Sequence, residues 1–351
     1  MNRFVTAFRW EMKKLLCYQR GWFLLILILL LQTGIAFIAA PVQPESFDSS
    51  LYADYIELFG GVYSEDTARA VHAEADKVDA YIALNDPAAL NAGAVTESQT
   101  EQYLLAAMKR NALSELEAKC TRLVTVQGVQ PSLTYDLELT DYIRRYGYHY
   151  ISLIGIAFLV PMLVLGDRKN GMEQILFPSA TGKAILVRAK LLTAVTISTL
   201  LTAVCAALQW TITSLRWNFG ALTVPIQSIT GFEQCMLHGS VLQWIFFCEV
   251  LRMLSAPALA LLLCFLCMLI HKEPAIIASG AILFWCGTLI AGKCPAASVG
   301  FLSQSCEGIS AIQMYSAKEI IWMIVILILK TGLLGWINMK LSNSNSLKHR
   351  K

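Results

Sequence analysis

Six long apolar stretches constrain the fold of this chain more than any other feature of its sequence. They cover residues 21–40, 148–166, 191–213, 241–270, 275–292 and 320–339. A helix that crosses the hydrocarbon core of a bilayer needs about 20 mostly apolar residues. We therefore predict an all-α, polytopic integral membrane protein with six transmembrane helices. The stretch 241–270 is too long for one upright span, so tilt, a kink at Pro257 or an interfacial first turn would accommodate it.

The overall composition supports a membrane protein and excludes several other classes. Hydrophobic residues make up 56% of the 351 positions, and charged residues make up only 15%. An ordinary globular domain carries about 25% charged residues. This depletion excludes a disordered chain, a nucleic-acid-binding protein and a plain cytosolic enzyme.

Charge is distributed unevenly along the chain. Residues 41–147 contain 17 acidic and 8 basic side chains, whereas the remainder contains 8 acidic and 20 basic ones. The acidic insert is Ala-rich around 67–84, and Thr96 followed by Gln99 is a capping-box pattern that opens a helix. We predict a helical extracytoplasmic domain over 41–147, built as a cap of two or three helices around a small core.

Lysine and arginine in the connecting segments predict the orientation in the cell membrane. Fifteen of these residues lie in the segments 1–20, 167–190, 271–274 and 340–351, which six spans place on one side of the membrane. Only three lie in the short loops on the other side, 214–240 and 293–319. Positive residues are enriched in cytoplasmic loops. Both termini are therefore predicted in the cytoplasm and the acidic insert outside.

The first 20 residues form an amphipathic pattern. Apolar side chains recur at helical spacing, at Phe4, Phe8, Met12 and Leu15. Cations occupy other positions of the helical wheel, at Arg3, Arg9, Lys13 and Lys14. This pattern favours an interfacial helix whose cations lie near anionic lipid headgroups. An ordinary basic flank of the first span is the alternative.

Signatures of catalysis, cofactor binding or metal binding are missing from the sequence. Residues 181–183 read Thr-Gly-Lys, but they lack the upstream glycine and the following Ser or Thr of a P-loop. Cys264 and Cys267 lie in an apolar run without a second pair, so we expect no metal there. Cys294 and Cys306 share one predicted external loop, and a disulfide between them stays open.

The predicted cytosolic loop 167–190 is the most informative segment. It passes through Gly171, continues with the short amphipathic piece 172–177, breaks at Pro178, and then enters a basic helix over 183–190. A short helix between two spans is a compact docking surface for a partner. A solvated positive loop is equally compatible with these residues alone.

The order of these segments resembles the permease subunit of an ABC-2-type ABC transporter. The loop residues that carry the resemblance are Asp167, Arg168, Gly171, Met172, Glu173, Ile175, Leu176, Ser179, Gly182, Lys183 and Lys190. Asp167 departs from the family, which commonly has a glutamate there. The insert resembles a Gram-positive subgroup with a large external domain between spans one and two, through Tyr52, Tyr55, Ile56 and Gly60.

The resemblance implies a non-catalytic subunit of an exporter. A second permease copy, identical or related, would complete the pathway, and separate ATPase subunits would bind ATP and magnesium, so no cofactor is expected in this chain. The implied ATPase-coupling residues are Gly171, Met172, Glu173, Leu176, Gly182 and Lys183. Membrane lipid is a further expected partner, and nucleic acid is not.

Three charged residues lie inside predicted spans. Glu249 and Arg252 are one helical turn apart and could pair, whereas Lys330 lies near the middle of the last span. A cation at mid-membrane costs about 2.5–3.5 kcal/mol on insertion scales. Lys330 is therefore expected to snorkel, to pair (with Glu249 as a weaker option) or to face a wet substrate path.

Two other classes of protein fit parts of the sequence. A membrane sensor or assembly protein would use the external domain for a ligand and the cytosolic loop for signalling. An ion-coupled carrier or a membrane enzyme would need repeats, interrupted helices or converging polar groups. A neighbouring gene for an ATPase without spans would favour the transporter. The sequence does not identify a substrate.

Overall fold

The computed structural model describes most of the chain. The described residues are 3–41, 44–85, 97–143, 150–169, 180–217, 219–220, 222–236, 238–270, 272, 274–282 and 317–348. They fall into two compact units. The first unit comprises Met1–Ala39, Arg145–Arg216 and Phe246–Lys351, and the second comprises Ala40–Arg144 and Trp217–Ile245.

Helices dominate the described residues, which confirms the all-α prediction. In chain order they are α1 Arg3–Lys13, α2 Gly21–Ile38, α3 Ser49–Phe59, α4 Glu65–Leu84, α5 Glu97–Val124, α6 Leu137–Asp141, α7 Tyr150–Lys169, α8 Ala180–Arg216, α9 Val241–Leu269, α10 274–282 and α11 Ala317–Lys348. A π-helical turn, Lys14–Tyr18, follows α1. Two short strands, β1 Gly61–Val62 and β2 Ser132–Leu133, pair antiparallel with Gly61 opposite Leu133.

Five helices in the described part of the chain are long and apolar enough to cross a membrane. They are α2, α7, α8, α9 and α11. This agrees with a multi-pass membrane protein. The predicted count of six spans is not shown, because the fifth stretch, 275–292, is described only as far as 282, where it is helical.

Two of the observed helices follow the apolar runs closely. α2 and α9 end within two residues of the predicted limits, and Pro257 lies inside α9 without ending it. α11 extends beyond its predicted limits of 320–339 to Ala317–Lys348. The largest departure is α8, in which the predicted basic helix 183–190 and the predicted span 191–213 form one helix of 37 residues. At 1.5 Å per residue it is about 55 Å long, which exceeds the roughly 30 Å hydrocarbon core.

α8 is the helix around which the first unit packs. It contacts α1, α2, α7 and α11. Gly155 of α7 shows how closely three helices approach, because a Cβ atom there would lie 2.7 Å from methyl carbons of Ile28 and Leu201. Small residues allow such close packing between apolar helices.

The second unit has a small core of its own, shared by α3, α4, α5 and β2. Its fully buried side chains include Tyr52, Val71, Leu113, Leu116 and Leu133. The segment 217–245, predicted as a separate external loop up to 240, belongs to this unit. The predicted cap therefore contains a later part of the chain in addition to its three main helices.

A buried aspartate, Asp136, links the two chain segments of the second unit. Lys119 Nζ lies 2.6 Å from Asp136 Oδ1 and donates to the Thr134 carbonyl oxygen. The other carboxylate oxygen of Asp136 accepts from the Thr230 backbone N–H at 2.7 Å. Asp136 therefore neutralises a lysine of α5 and also holds the later segment in place.

Two polar side chains define where the first helices of this unit begin. Asp48 accepts hydrogen bonds from the backbone N–H groups of Ser50 and Leu51, and Ser64 accepts one from Thr67. These N-caps satisfy donors that the first turn of a helix leaves open. The Ser50 hydroxyl and these N–H groups lower the pKa of Asp48 below its ordinary value of 3.8.

Candidate functional site

Four charged side chains meet inside the first unit, where α1, α7 and α8 come together. Lys14 Nζ lies 2.9 Å from an Asp167 carboxylate oxygen and also pairs with Glu11. Lys190 pairs with the same aspartate. The exposed fractions are 0% for Glu11, 2% for Asp167, 6% for Lys14 and 9% for Lys190. We call these four residues the ion cluster.

The ion cluster is electrically balanced, with two carboxylates and two ammonium groups. Equal numbers of opposite charges are required here because removing a charge from water costs several kcal/mol, and a close partner of opposite charge offsets that cost. Glu11 is the least satisfied member, since its Oε1 accepts no hydrogen bond from any described residue. Burial raises the pKa of Glu11 above 4.5, against the opposing effect of Lys190 and Lys14.

The chain reaches the ion cluster through a tight joint between α1 and α2. After the π-helical turn, Arg20 adopts the left-handed conformation with φ of 59°. A Cβ atom on Gly21 would lie 2.6 Å from the Leu15 carbonyl oxygen, so only glycine fits without backbone movement. The Gln19 amide packs against Gly166, next to Asp167 in α7.

The structure changes the predicted orientation of the N-terminal helix. Lys14 was assigned to the cationic outer side, but it is buried in the ion cluster. Leu15 of the predicted lipid-facing stripe is fully buried, and α1 packs on α8. The reason is long-range, because Asp167 lies 153 positions away in sequence.

The predicted ATPase-coupling residues fall partly outside the described residues. Gly171, Met172, Glu173 and Leu176 lie there, whereas Gly182 and Lys183 are in the first turn of α8. The ion cluster lies on both sides of this segment: Asp167 is near the end of α7, and Lys190 is in the third turn of α8. Their ion pair ties together the two helices that flank 170–179.

The charged residues inside the spans have different environments. Glu249 and Arg252 form the predicted ion pair, with Arg252 buried. Lys330 is half-buried on α11 and makes no ion pair with a described residue. Glu249 therefore pairs with its neighbour one turn away, and the alternative pairing with Lys330 is not observed.

Buried amides connect the spans and were not singled out in the sequence. Gln32 of α2 donates to Gln209 Oε1 of α8 at 2.6 Å. Asn338 of α11 donates to the Leu261 carbonyl oxygen of α9 at 3.0 Å. Such bonds hold apolar helices together. The available signal was the presence of an amide in a run of apolar residues.

The predicted absence of metal and cofactor sites is not tested by the structure. Among the described residues, no three His, Cys, Asp or Glu side chains are grouped to hold a metal ion. Cys294 and Cys306 lie outside those residues. Cys264 and Cys267 are both buried.

Arg216 donates to backbone carbonyls at the end of α2, including Ala39 at 3.0 Å.

Comparisons with known proteins returned no relative. No protein-family model, curated protein or solved structure matches the chain. The likeness to an ABC-2-type permease therefore stays a prediction from the sequence. The arrangement of the ion cluster is the main structural argument that bears on it.

Proposed function

We propose that the chain is the membrane-spanning permease subunit of an ABC-2-type exporter. It forms the translocation pathway with a second permease copy, identical or related, in the cell membrane. Both termini lie in the cytoplasm and the insert 41–147 lies outside. The segment 171–183 couples the pathway to a separate ATPase subunit, which holds ATP and magnesium. The chain itself is not a catalyst.

The ion cluster is the observation that carries this proposal. A segment that transmits movement from a partner needs rigid attachment to the helices on both of its sides. The Asp167–Lys190 pair joins the end of α7 to the first turns of α8. Lys14 and Glu11 add α1 to the same buried contact. Displacement of 170–179 would therefore move three helices together.

Co-purification with an ATPase tests the proposal directly. The wild-type chain is expressed with the ATPase encoded nearest to its gene and isolated through a tag on the chain. A Glu173→Ala/Lys183→Ala variant should lose the bound ATPase, because both changes lie in the predicted coupling segment. A Glu74→Ala/Lys77→Ala variant is the matched control, since it removes an exposed pair from α4 and should retain the ATPase.

The three chains give distinct outcomes. ATPase bound to wild type and to the α4 control, but lost from the loop variant, supports a permease with this coupling element. Equal binding by all three places the contact elsewhere and contradicts the role of 171–183. No ATPase on intact wild-type chain contradicts the transporter proposal.

A membrane sensor is the second candidate, and the compact second unit favours it. An open depression of about 350 Å³ lies on this unit, lined by residues 44–49, Met108 and Asn111. On this alternative the depression would take an external ligand, and the ion cluster would relay its presence. If the intact wild-type chain binds no ATPase, the sensor becomes the preferred candidate.

A further inference from the structure

We infer that the outer face of α1 and the turn after it binds the headgroups of anionic phospholipids. This inference requires only that the chain is inserted in a membrane, and it does not depend on the ATPase. It rests on four exposed cations, a fixed rotation of the helix and two exposed aromatic rings that precede the first span.

The exposed positions of residues 3–20 carry cations and no acidic side chain. The exposed basic side chains are Arg3, Arg9, Lys13 and Arg20. Glu11 is the only acidic residue among 3–20, and it is fully buried in the ion cluster. The exposed residues of this segment therefore have four positive charges and no negative one, and Arg9 and Lys13 lie on the side of α1 opposite Glu11.

The ion cluster fixes which side of α1 faces outward. Glu11 and Lys14 are one turn apart, and both point inward to α7 and α8. A helix pinned by two side chains on one side cannot rotate without exposing their charges. Residues on the opposite side, such as Lys13 and Arg9, are held outward as a preformed surface.

Aromatic rings indicate that the occupant is a membrane and not an acidic protein. Trp10 and Tyr18 are 45% and 62% exposed, and their ring centroids lie 5.7 Å apart. Tryptophan and tyrosine prefer the depth of the lipid headgroups. The exposed apolar side of α2 begins directly after them with Trp22 and Phe23. The surface is thus continuous with a face suited to acyl chains.

The same combination of groups occurs at the other end of the chain. Lys340 Nζ lies 4.7 Å from the centroid of the exposed Trp336 ring near the end of the last span. A cation beside an aromatic ring at the end of an apolar helix suits the headgroup region. The α1 surface differs because it gathers four cations in 18 residues.

Anionic-lipid binding by the full-length chain provides the test. The purified chain in detergent is titrated with phosphatidylglycerol or phosphatidylcholine, and lipid retained on it is counted by native mass spectrometry. An Arg9→Gln/Lys13→Gln variant should bind phosphatidylglycerol about 30-fold more weakly, since two cations contribute about 2 kcal/mol at an anionic surface. Phosphatidylcholine binding should not change.

Two further variants separate the inference from general effects of charge or folding. Arg69→Gln/Lys77→Gln removes two exposed cations of α4 that are paired with acids, and should bind as wild type does. Arg9→Lys/Lys13→Arg preserves both charges and should bind phosphatidylglycerol as the wild type does. This variant keeps the test valid if the Arg9→Gln/Lys13→Gln variant folds poorly. Wild-type affinity in the Arg9→Gln/Lys13→Gln variant, or equal weakening in the α4 variant, would overturn the inference.

A photocrosslinking residue in place of Trp10 identifies the occupant in native membranes. Crosslinks to phospholipid are expected. A crosslink to an acidic protein instead, with no lipid product, would contradict the lipid assignment whatever the titration shows. Because neither experiment needs ATP or an ATPase, failure here leaves the transporter proposal intact, and the converse also holds.

Discussion

Lys14 and Lys119 are both buried lysines, and each is paired with a buried aspartate, Asp167 or Asp136. Removing one partner of such a pair typically costs about 3–5 kcal/mol, because the other charge remains desolvated. These residues are the ones whose replacement should damage the fold most. Exposed pairs such as Lys77–Glu74 contribute about 0–1 kcal/mol.

Asp48 gives a pH-dependent prediction at the residue scale. Its pKa is lowered in the folded chain, so its cap stabilises α3 above the unfolded pKa and is lost as the pH falls through the folded one. Hydrogen-exchange protection in the first turn of α3 should therefore decrease as the pH falls below 3.8, the ordinary pKa of an aspartate, after correction for intrinsic exchange rates.

An Asp48→Asn variant is the control for this titration. Asparagine keeps an oxygen that can accept from Ser50 and Leu51, but it does not ionise in this range. Its protection in the first turn of α3 should not change over the same pH interval. An equal loss of protection in both chains would show that another group controls this helix end.

At the scale of elements, the joint between α1 and α2 depends on one glycine. Gly21→Ala would place a methyl group 2.6 Å from the Leu15 carbonyl oxygen, and backbone cannot move aside as a side chain can. We expect a loss of about 1–3 kcal/mol in stability. Thermal unfolding of the purified chain in detergent measures it as a lower midpoint.

Gly34→Ala is the matched control in the same helix. Apart from the helix's own backbone, no atom of the described residues lies within 4 Å of a Cβ added there, and alanine favours a helix over glycine by about 1 kcal/mol. Its unfolding midpoint should therefore be equal to or above that of the wild type. A midpoint for Gly21→Ala no lower than that of Gly34→Ala would contradict the proposed constraint at the joint.

The sequence predicted the positions of these helices well, and it predicted contacts between residues far apart in sequence poorly. Apolar runs located α2, α7, α9 and α11, since span length and hydropathy depend only on neighbouring residues. The Glu249–Arg252 pair was also predicted, because both lie on one helix. The burial of Lys14 was missed since its partner, Asp167, is 153 positions away. A charge at the end of an apolar run, such as Asp167, was the available signal.

At the scale of the whole molecule, the Asp167–Lys190 pair should matter for coupling. An Asp167→Asn variant leaves two lysines without full compensation, so α7 and α8 should lose their rigid link. At a temperature where this destabilised variant is still folded, we expect the ATPase to remain bound while ATP-driven transport in vesicles falls by at least tenfold, which is about 1.4 kcal/mol. The readout is transport per ATP hydrolysed.

An Asp167→Lys/Lys190→Asp double variant is the control for lost geometry. It restores one opposite-charge contact in reverse order, so it should recover part of the coupling that either single change removes. No recovery of coupling in a double variant that is folded at the assay temperature would show that the pair is not the mechanical link. Normal coupling in Asp167→Asn would show the same.

The second unit could be predicted only in part from the sequence at this scale. The acidic composition and the helix signals predicted an insert of two or three helices, and the N-cap residue Ser64 stands in the sequence directly before the helix that it caps. The membership of 217–245 was missed because nothing local marks it. Its attachment is made by single long-range bonds, such as Thr230 N–H to Asp136 and Ser132 N–H to Ser228 Oγ.

That division of the second unit sets an order of events during synthesis. Asp136 and Thr230 are 94 positions apart, with α7 and α8 between them. At about 5–20 residues per second, the ribosome needs roughly 5–19 s to make the intervening chain. During that interval Asp136 lacks the Thr230 N–H as a hydrogen-bond donor. The second unit therefore cannot be completed until α7 and α8 have been synthesised.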